Sequence, residues 1–415
     1  MVDGPLDALR AAAGEAARPA EDADAVAGVP ARYVAAPAST DEAAAVVRAA
    51  AAHDLAVVVR GAGTKQDWAV PPRRLDLVLD TRRLTGVVEH AAGDLVVVVR
   101  AGTTCEELQE KLTPTAQQLA LDAPLPGATV GGTVAVSTSG PRRMIYGTVR
   151  DMLIGVTIVR PDGAVAHAGG KVVKNVAGYD LGKLVAGSYG TLGLITRCAF
   201  RLHPLPAATA LVGQRVEGAE EAGRLAAAVL AAQVVPSALE VDAPPDGGIE
   251  VAVLLEGVPE GVERRVTTTR QLLGGDATVS GSPPAWWSAY PWSSGDVGLK
   301  LTATLSRVPA LLAAARAVRV RYGAPLAVRG SAGTGVLYAG LPGVTDPDVV
   351  ARVVEELRSA ARGAAGHAVV LTAPAAVRDR VDVWGPVGGL DLMRRVKQQF
   401  DPDGRFAPGR FVGGI

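Results

Sequence analysis

The chain reads LAVVVRGAGTK over residues 55–65. The apolar run 55–59 predicts a buried strand, and the segment Arg60, Gly61, Ala62, Gly63, Thr64, Lys65 predicts a glycine turn at its end. Glycine lets backbone N–H groups approach an anion because no Cβ stands in the way. The spacing fits neither a Walker loop nor a Rossmann fingerprint. The turn therefore predicts either a phosphate cradle or an ordinary strand-ending turn.

Two further glycine clusters follow within about 130 residues, and hydroxyl side chains are interleaved in both. One contains Thr129, Val130, Gly131 and Gly132, and the other is GSYGTLG at residues 187–193. Tight backbone crossings in a packed core would explain each cluster alone. Three clusters beside apolar segments favour one large ligand with phosphates and flat rings.

The composition restricts the classes of function. Hydrophobic residues make up 48% of the 415 residues and charged residues 20%, which indicates a globular α/β composition and not a disordered or fibrous chain. Lys plus Arg and Asp plus Glu both number 42, so no net field attracts nucleic acid. Two cysteines are too few for an iron–sulfur cluster or a disulfide framework. Redox chemistry would need an organic cofactor.

Targeting signals are weak in this sequence. The acidic, Ala-rich start lacks the basic and apolar regions of a signal peptide, and the longest aliphatic run, 95–99, is far too short for a membrane-spanning helix. We therefore expect a cytoplasmic protein with no transmembrane segment, and with only peripheral attachment at the inner face of the membrane through partner subunits.

The periodicity changes along the chain. A helix is predicted from the capping spacing of Ser39 and Glu42 to about His53, and another from Thr103 and Glu106 to about Leu112. Residues 152–168 predict a β-hairpin, and strands alternate with helices beyond residue 206. We predict an α+β protein with four parts: a flexible leader at 1–30, a glycine-rich domain at 31–205, a smaller α+β cap at 206–375, and a C-terminal arm at 376–415 that returns to the glycine-rich domain.

The motifs resemble a known flavoprotein family. The glycine loops, residues 146–151, residues 178–181 and the closing FDPDGRFAPGRF at 400–411 resemble the FAD-binding domain of the vanillyl-alcohol oxidase and p-cresol methylhydroxylase (PCMH) family. GAGTKQDW at 61–68 and GGKVVKNVAGYD at 169–180 are similar to the FAD-binding subunit of bacterial glycolate oxidases. The resemblance implies a PCMH-type FAD-binding domain.

The resemblance also assigns residues to the cofactor. Loop 61–65 would hold the FAD pyrophosphate, and residues 129–132 with Ser137 would line pyrophosphate and flavin. Residues 146–147 and Asp151 would form a second wall, and residues 187–192 with Ile195 would contact the adenosine end. Lys171 and Lys174 are either phosphate partners or solvated surface lysines. The loops offer no histidine or exposed cysteine for covalent attachment, so non-covalent FAD is expected. The cofactor-binding residues implied are Arg60, Gly61, Ala62, Gly63, Thr64, Lys65, Pro126, Thr129, Val130, Gly131, Gly132, Ser137, Tyr146, Gly147, Asp151, Gly187, Gly190, Thr191, Leu192 and Ile195.

The cap departs from related D-2-hydroxyacid dehydrogenases. Where they carry a His-rich H-A-G-D-G-N-x-H segment, this chain reads SAGTGVLY at 331–338, and its five histidines are scattered. No metal site and no catalytic base are therefore predicted. Arg410 is a candidate for stabilising negative charge on the reduced flavin, or else forms a terminal salt bridge. The cluster Trp286, Trp287, Tyr290 and Trp292 is either core packing, a substrate wall or a partner contact.

The resemblance implies an FAD-dependent oxidoreductase that acts on CH–OH groups as the FAD-binding subunit of a glycolate oxidase-type complex. A small 2-hydroxy acid, glycolate or D-lactate, would be oxidised to the 2-oxo acid by hydride transfer to the flavin. The partners implied are a catalytic flavoprotein subunit and an iron–sulfur subunit. Two alternatives remain: a stand-alone FAD-dependent alcohol or sugar oxidase, and a non-catalytic assembly subunit.

Overall fold

The computed structural model describes residues 4–170 and 180–415. Its chain divides into two compact units. The first contains residues up to Ser139, Thr148–Leu205 and Val387–Ile415, and the second contains Gly140–Gly147 and Pro206–Pro386. Both units combine helices and sheets, as the predicted α+β class requires. The segment 140–147 was placed in the flavin domain from the sequence, but it belongs to the second unit.

The leader was predicted to be flexible, and this prediction is wrong. Pro5–Ala13 forms a helix, and the side chain of Leu9 is fully buried. Leu9 packs in a core with residues of the helix Thr40–Ala52 and with Phe406 from near the end of the chain. This alanine-rich segment has two leucines, Leu6 and Leu9, and its composition alone did not indicate the helix.

A four-stranded sheet carries the first glycine loop. Its central strands pair in parallel, and the outermost strand, Ala17–Pro19, pairs antiparallel with its neighbour. The edge strand Val57–Arg60 also bridges to Phe406, so the C-terminal arm contacts the strand that leads into the loop. The strand order is Ala17–Pro19, Tyr33–Ala35, Leu77–Asp80, Val57–Arg60.

The second sheet of this unit is antiparallel and includes the predicted hairpin. Leu153–Val159 and Val165–Gly169 pair as expected, and the apolar side chains between the sheet and the nearby helices form a core that includes Phe200 and Met152. The strand order is Val87–Ala91, Val96–Arg100, Leu194–Arg201, Leu153–Val159, Val165–Gly169, and the short pair Gln117–Gln118 with His203–Pro204 lies apart.

Six of the first unit's helices surround these sheets after the N-terminal helix. The predicted cap at Ser39 is confirmed, because its side chain accepts a hydrogen bond from the N–H of Glu42. The next capping box uses Thr104 and Glu107 in place of the predicted Thr103 and Glu106. In the described residues these helices are Thr40–Ala52, Cys105–Leu112, Val130–Val136, Val149–Met152, Leu181–Val185 and Leu390–Phe400.

The second unit is built on one antiparallel sheet. Strands Ala208–Val216 and Ala238–Ala243 were not predicted, although every residue of Ala238–Ala243 is buried. The strand order is Thr278–Ser280, Ala208–Val216, Ile249–Gly257, Ala238–Ala243, Ala327–Ser331, Val336–Leu341, Val297–Thr302, Ala368–Thr372. Its helices are Arg143–Tyr146, Ala219–Ala231, Pro259–Leu273, Val308–Tyr322, Pro347–Gly363 and Ala375–Arg378.

Candidate functional site

A cavity in the first unit brings the three glycine clusters together. It contains about 730 Å³ of space not occupied by protein, part of it open to solvent. The residues that line it are Val59, Gly61, Ala62, Gly63, Thr64, Lys65, Gln66, Thr81, Ala101, Thr129, Gly131, Gly132, Ala135, Val136, Tyr189, Gly190, Gly193, Ile195 and Arg410.

The loop 61–64 presents unused hydrogen-bond donors to this cavity. In the described parts of the chain, the N–H groups of Ala62, Gly63 and Thr64 donate to no backbone or side-chain acceptor. Gly63 has a φ of +81°, a conformation that favours glycine. An array of free N–H groups in such a turn is an anion-binding concavity.

The strand before this loop is fixed by charge. The guanidinium of Arg60 forms ion pairs with Asp24 at 2.8 Å and with Asp80 at 3.2 Å, and its side chain is only 13% exposed. Its backbone oxygen accepts a hydrogen bond from the N–H of Thr81 at 2.8 Å. Arg60 therefore holds the loop from behind and does not line the cavity.

The glycine at the start of the loop is required by a protein contact. A Cβ on Gly61 would lie 2.2 Å from Oγ1 of Thr129, so any larger residue would push the two loops apart. The first and second glycine clusters thus touch each other at Gly61 and Thr129. A tight crossing of two backbone segments therefore explains the glycine at position 61.

The second cluster has already used its donors inside the protein. The N–H groups of Val130 and Gly131 donate to the backbone oxygens of Thr103 and Ala101, both at 2.8 Å, and that of Gly132 donates to Oγ1 of Thr129 at 3.3 Å. A Cβ on Gly131 would lie 2.7 Å from Cβ of Ala101. This cluster therefore forms part of the cavity wall, but few of its N–H groups are left to bind a ligand.

The third cluster is anchored to the helix Val130–Val136. The N–H of Gly187 donates to the oxygen of Val134 at 3.0 Å, and that of Tyr189 donates to the oxygen of Ala135 at 2.8 Å. Gly190 has a φ of +74° and has open space where a Cβ would be. Tyr189 and Gly190 are therefore held at the cavity by the second cluster.

Arg410 connects the C-terminal arm to the first loop. Its guanidinium donates to Oε1 of Gln66 at 3.0 Å and to the backbone oxygens of Gln66 and Trp68 at 2.6 and 2.8 Å. The residue is 5% exposed and lines the cavity. These hydrogen bonds make Arg410 a positioning residue of the loop. Their acceptors are an amide oxygen and two backbone oxygens, and not the carboxylate that a terminal salt bridge would need.

Two titratable groups lie close to the loop. Burial lowers the pKa of Lys65 to about 8, against smaller opposing effects of Cys105 and Glu106. Burial raises the pKa of Cys105 to about 11, and its Sγ lies 3.7 Å from Oγ1 of Thr133. At neutral pH the site therefore has a lysine cation and a neutral thiol.

Half of the cofactor-binding residues predicted from the sequence line the cavity. Those in the first unit that do not are Arg60, Pro126, Val130, Ser137, Asp151, Gly187, Thr191 and Leu192. Asp151 instead caps a short helix, accepting from the N–H and Oγ1 of Thr148, and these contacts lower its carboxyl pKa against the effect of burial. Thr191 is buried, and its backbone oxygen accepts a hydrogen bond from Nζ of Lys397 at 2.8 Å.

Tyr146 and Gly147 lie in the second unit, contrary to their predicted place on the flavin domain's wall. The hydroxyl of Tyr146 donates to Glu256 at 3.2 Å, and Arg142 also pairs with Glu256 at 3.3 Å. This carboxylate ties the excursion 140–147 to strand Ile249–Gly257. Lys171, Lys174 and the motif residues up to Tyr179 lie outside the described residues.

Sequence reasoning missed several lining residues. Ala135 and Val136 follow the second cluster closely, and Gly193 ends the third, so proximity to a motif could have found them. Val59 and Gln66 adjoin the first loop in the same way. Thr81 and Ala101 directly follow strands Leu77–Asp80 and Val96–Arg100, and no sequence motif beside them indicates a ligand site.

The turn that replaces the His-rich segment lies between strands Ala327–Ser331 and Val336–Leu341 of the second unit. Over residues 4–170 and 180–415, no three His, Cys, Asp or Glu side chains are close enough together to hold a metal ion. Tyr290 stacks on Trp292 at 4.4 Å between ring centroids and meets Tyr338 edge-on at 4.8 Å. These aromatic contacts are packing within the unit.

The cavity fits a ligand with an anionic centre and flat apolar parts. The free N–H groups and Lys65 offer positive potential at one place, while Val59, Ala135 and Val136 supply apolar wall. Where the chain is described, no helix combines the length and apolar character needed to cross a membrane.

Comparison with known proteins identifies the domain. Residues 31–169 match the family model described as an FAD binding domain. The chain is 26% identical to an uncharacterized FAD-linked oxidoreductase of Mycobacterium tuberculosis, over 92% of this chain and 91% of that protein. It is 32% identical to glycolate oxidase subunit GlcE of Escherichia coli, over 53% of this chain and 60% of GlcE. It is 34% identical to a D-lactate dehydrogenase of Archaeoglobus fulgidus, over 40% of this chain and 38% of that protein.

Solved structures share the fold at low sequence identity. p-Cresol methylhydroxylase superposes with a TM-score of 0.76 at 16% identity, over 98% of this chain and 96% of that one. Alkyldihydroxyacetonephosphate synthase superposes with a TM-score of 0.70 at 17% identity, over 91% of this chain and 77% of that one. The predicted PCMH-type fold is confirmed.

Proposed function

Since this chain carries a PCMH-type FAD-binding domain and is an FAD-dependent oxidoreductase, we propose that it is the FAD-binding subunit of a glycolate oxidase-type complex. The substrate is a small 2-hydroxy acid, glycolate or D-lactate, which is oxidised to the 2-oxo acid. FAD, when bound, accepts the hydride. The electrons then pass to an iron–sulfur partner.

The free N–H groups of Ala62, Gly63 and Thr64 carry this proposal. They belong to residues that line the cavity and have no acceptor among the described residues, so they are suited to hold the pyrophosphate oxygens of FAD. Lys65 adds a positive charge beside them. Thr129 and Gly190 bound the same cavity, and the remaining predicted lining residues supply its walls.

The chain's own residues keep this loop in shape. Arg410 fixes residues 66 and 68 by their backbone oxygens, and Arg60 fixes the preceding strand through Asp24 and Asp80. A rigid loop lowers the entropy cost of binding, because its donors are already aligned before the cofactor arrives.

We propose that the FAD is held without a covalent bond. The described residues that line the cavity include no histidine and no cysteine. Cys105 is nearby, but its thiol is neutral at physiological pH because burial raises its pKa to about 11. Acid precipitation should release the yellow colour into the supernatant; a yellow pellet would contradict this proposal.

The partners follow from what this chain lacks. Two cysteines in the sequence cannot hold an iron–sulfur cluster, so the cluster that we propose as electron acceptor lies on another protein. The turn after Ser331 has no imidazole or carboxylate to remove the hydroxyl proton. We therefore propose a catalytic flavoprotein partner that supplies this base, as the names of the relatives GlcE and GlcD, both glycolate oxidase subunits, are consistent with.

The test is the visible absorption spectrum of the purified chain, recorded anaerobically before and after glycolate or D-lactate is added. A flavin spectrum that persists with substrate and bleaches once the flavoprotein partner is added supports the proposal. Bleaching of the isolated chain, with peroxide formed in air, would establish a stand-alone oxidase instead. A colourless protein that does not take up added FAD would contradict the cofactor site itself.

A further inference from the structure

A groove lies between two helices of the second unit, far along the chain from the glycine clusters. Helices Ala219–Ala231 and Val308–Tyr322 approach closely where Gly223 meets Pro309, since a Cβ on Gly223 would lie 2.1 Å from Cγ of that proline. Two adjoining cavities follow this helix pair, and Leu312 lines both of them. The two cavities therefore meet at Leu312 of helix Val308–Tyr322.

One end of the groove is apolar. Its cavity contains about 1010 Å³ of space not occupied by protein, part of it open to solvent. Val241 and Ala332 form its floor, and both are at least 97% buried. Ser306 has the only polar side chain among the described lining residues. Such a surface favours a hydrocarbon chain and offers almost nothing to a polar ligand.

The other end of the groove is cationic. Arg316 and Arg319 line the second cavity, which contains about 660 Å³. Pro309, Leu312, Arg316 and Arg319 are spaced by three or four residues, so they lie along one face of the helix. The apolar end and the charged end are thus arranged in a line.

The two guanidinium groups lack a carboxylate partner. Arg319 donates to the backbone oxygen of Pro245 at 2.7 Å, and Arg316 donates to that of Glu217 at 3.2 Å. Among the described residues no carboxylate oxygen lies within 4.0 Å of either group. The Nε of Arg319 is buried and has no hydrogen-bond acceptor there.

The charges around Arg319 do not cancel within the protein. Burial and the charge of Arg316 lower the pKa of Arg319, and the charge of Asp246 only partly opposes this. The exposed Glu217 also lines the cavity, but its carboxylate makes no ion pair with either arginine. A buried donor without an acceptor costs about 1–3 kcal/mol, which an anionic ligand would recover.

We propose that this groove binds a single-chain amphiphile with an anionic head, a fatty acid carboxylate. The hydrocarbon chain lies in the apolar cavity against Val241 and Leu312, and the carboxylate accepts hydrogen bonds from Arg319 and Arg316. A planar guanidinium matches a carboxylate in geometry as well as in charge. The site lies within the second unit and is independent of the FAD site.

The test uses isothermal titration calorimetry of the full, FAD-loaded chain with laurate, below the concentration at which laurate forms micelles. We expect saturable binding with one site, at least tenfold weaker binding of dodecanol, and no measurable binding of acetate. Arg319→Gln should weaken laurate binding at least tenfold. Arg264→Gln, at an exposed position of helix Pro259–Leu273, is the matched control and should leave binding unchanged.

A second variant tests the apolar end. Ala226→Met partly fills that cavity and should weaken laurate more than the shorter octanoate, whereas Arg319→Gln should weaken both equally. A circular-dichroism spectrum and a thermal unfolding curve that match those of the wild type show that each variant is folded. Absence of saturable laurate binding by the wild-type chain, or equal affinity of wild type and Arg319→Gln, would overturn the proposal. Tighter binding of dodecyl phosphate than of laurate would replace the carboxylate by a phosphate head.

Discussion

The loops 61–64 and 129–132 look alike in sequence but differ in what their backbone does. Ala62, Gly63 and Thr64 keep their N–H groups free at the cavity, whereas Val130, Gly131 and Gly132 donate theirs within the protein. Gly63 in the first loop provides conformation and access, whereas Gly131 in the second permits close packing against Ala101. A glycine cluster therefore indicates close approach, and only the hydrogen-bond partners tell whether a ligand or the protein itself approaches.

The largest effect is expected from removing the residue that fixes the free loop. Arg410→Met would leave the backbone oxygens of Gln66 and Trp68 without their donor, which should cost about 3 kcal/mol in the free energy of unfolding, and FAD affinity should fall with it. The candidate role of Arg410 in stabilising negative charge on the reduced flavin predicts, in addition, that the reduction potential of the remaining bound flavin falls. Urea unfolding and redox titration measure the two effects.

The control for this prediction is Arg394→Met on the same C-terminal arm. Arg394 is exposed, and within the described part of the chain it pairs with Asp391 alone, so its loss should change the free energy of unfolding by no more than about 0.5 kcal/mol. Equal effects of the two variants would show that Arg410 does not fix the loop.

The next prediction separates the two loops by their readouts. Gly131→Ala places a methyl group 2.7 Å from Cβ of Ala101 and should reduce the free energy of unfolding by about 2 kcal/mol, with any weaker FAD binding following from this. Gly63→Ala adds a methyl group in open space at a φ of +81°, so its folding cost is smaller, about 1 kcal/mol, and FAD affinity is the main loss. Thermal unfolding without FAD and FAD titration distinguish them; the reverse pattern would refute the assignment of the loops.

The pH dependence of FAD binding should belong to the free loop. Because burial lowers the pKa of Lys65 to about 8 from its ordinary 10.5, the apo site loses this charge as the pH rises through 8. FAD affinity should therefore fall by up to about tenfold between pH 7 and 9. The same shift makes the apo fold gain stability between about pH 8 and 10.5, since the unfolded state then binds more protons.

Lys65→Arg keeps its charge throughout this range and is the matched control for the titration. Its FAD affinity should be flat between pH 7 and 9. A persistent fall in Lys65→Arg would assign the dependence to another group.

The smallest effect tests the point where the loops touch. Gly61→Ala and Thr129→Ala should each destabilise the fold, the first by a clash with Oγ1 and the second by loss of a helix cap worth about 1 kcal/mol. In the double variant the clash is relieved, so its cost should be about 1 kcal/mol less than the sum. Additive costs would show that the two loops are not in contact.

Local sequence signals predicted much of this fold. Hydrophobic periodicity and the residues that end helices and strands predicted the cap at Ser39 and most helices of the second unit. They also predicted the hairpin of Leu153–Val159 with Val165–Gly169. Where two signals overlapped, the sequence was ambiguous. Thr103 and Thr104 both have a glutamate three residues on, and Thr104 became the cap because Oγ1 of the buried Thr103 accepts from the N–H of Gly86.

The remaining parts depend on contacts distant in sequence. Thr81 and Ala101 reach the cavity only because their strands end beside it, and the helix Pro5–Ala13 is stabilised by the burial of Leu9. The excursion 140–147 joins the second unit through Glu256, more than 100 residues later. No pattern within a short window contains this information, since tertiary packing decides it.

The bridge between Val57 and Phe406 has a consequence for biosynthesis. The N–H of Val57 donates to the oxygen of Arg405, and that of Ala407 donates to Val57, so the strand before the free loop is completed by residues about 350 positions later. At roughly 5–20 residues per second, a ribosome needs about 20–70 s to supply them. During this interval the nascent chain has neither this bridge nor Arg410. Cofactor loading is therefore expected to be a late event, and a chain cut short before Arg405 should emerge without flavin.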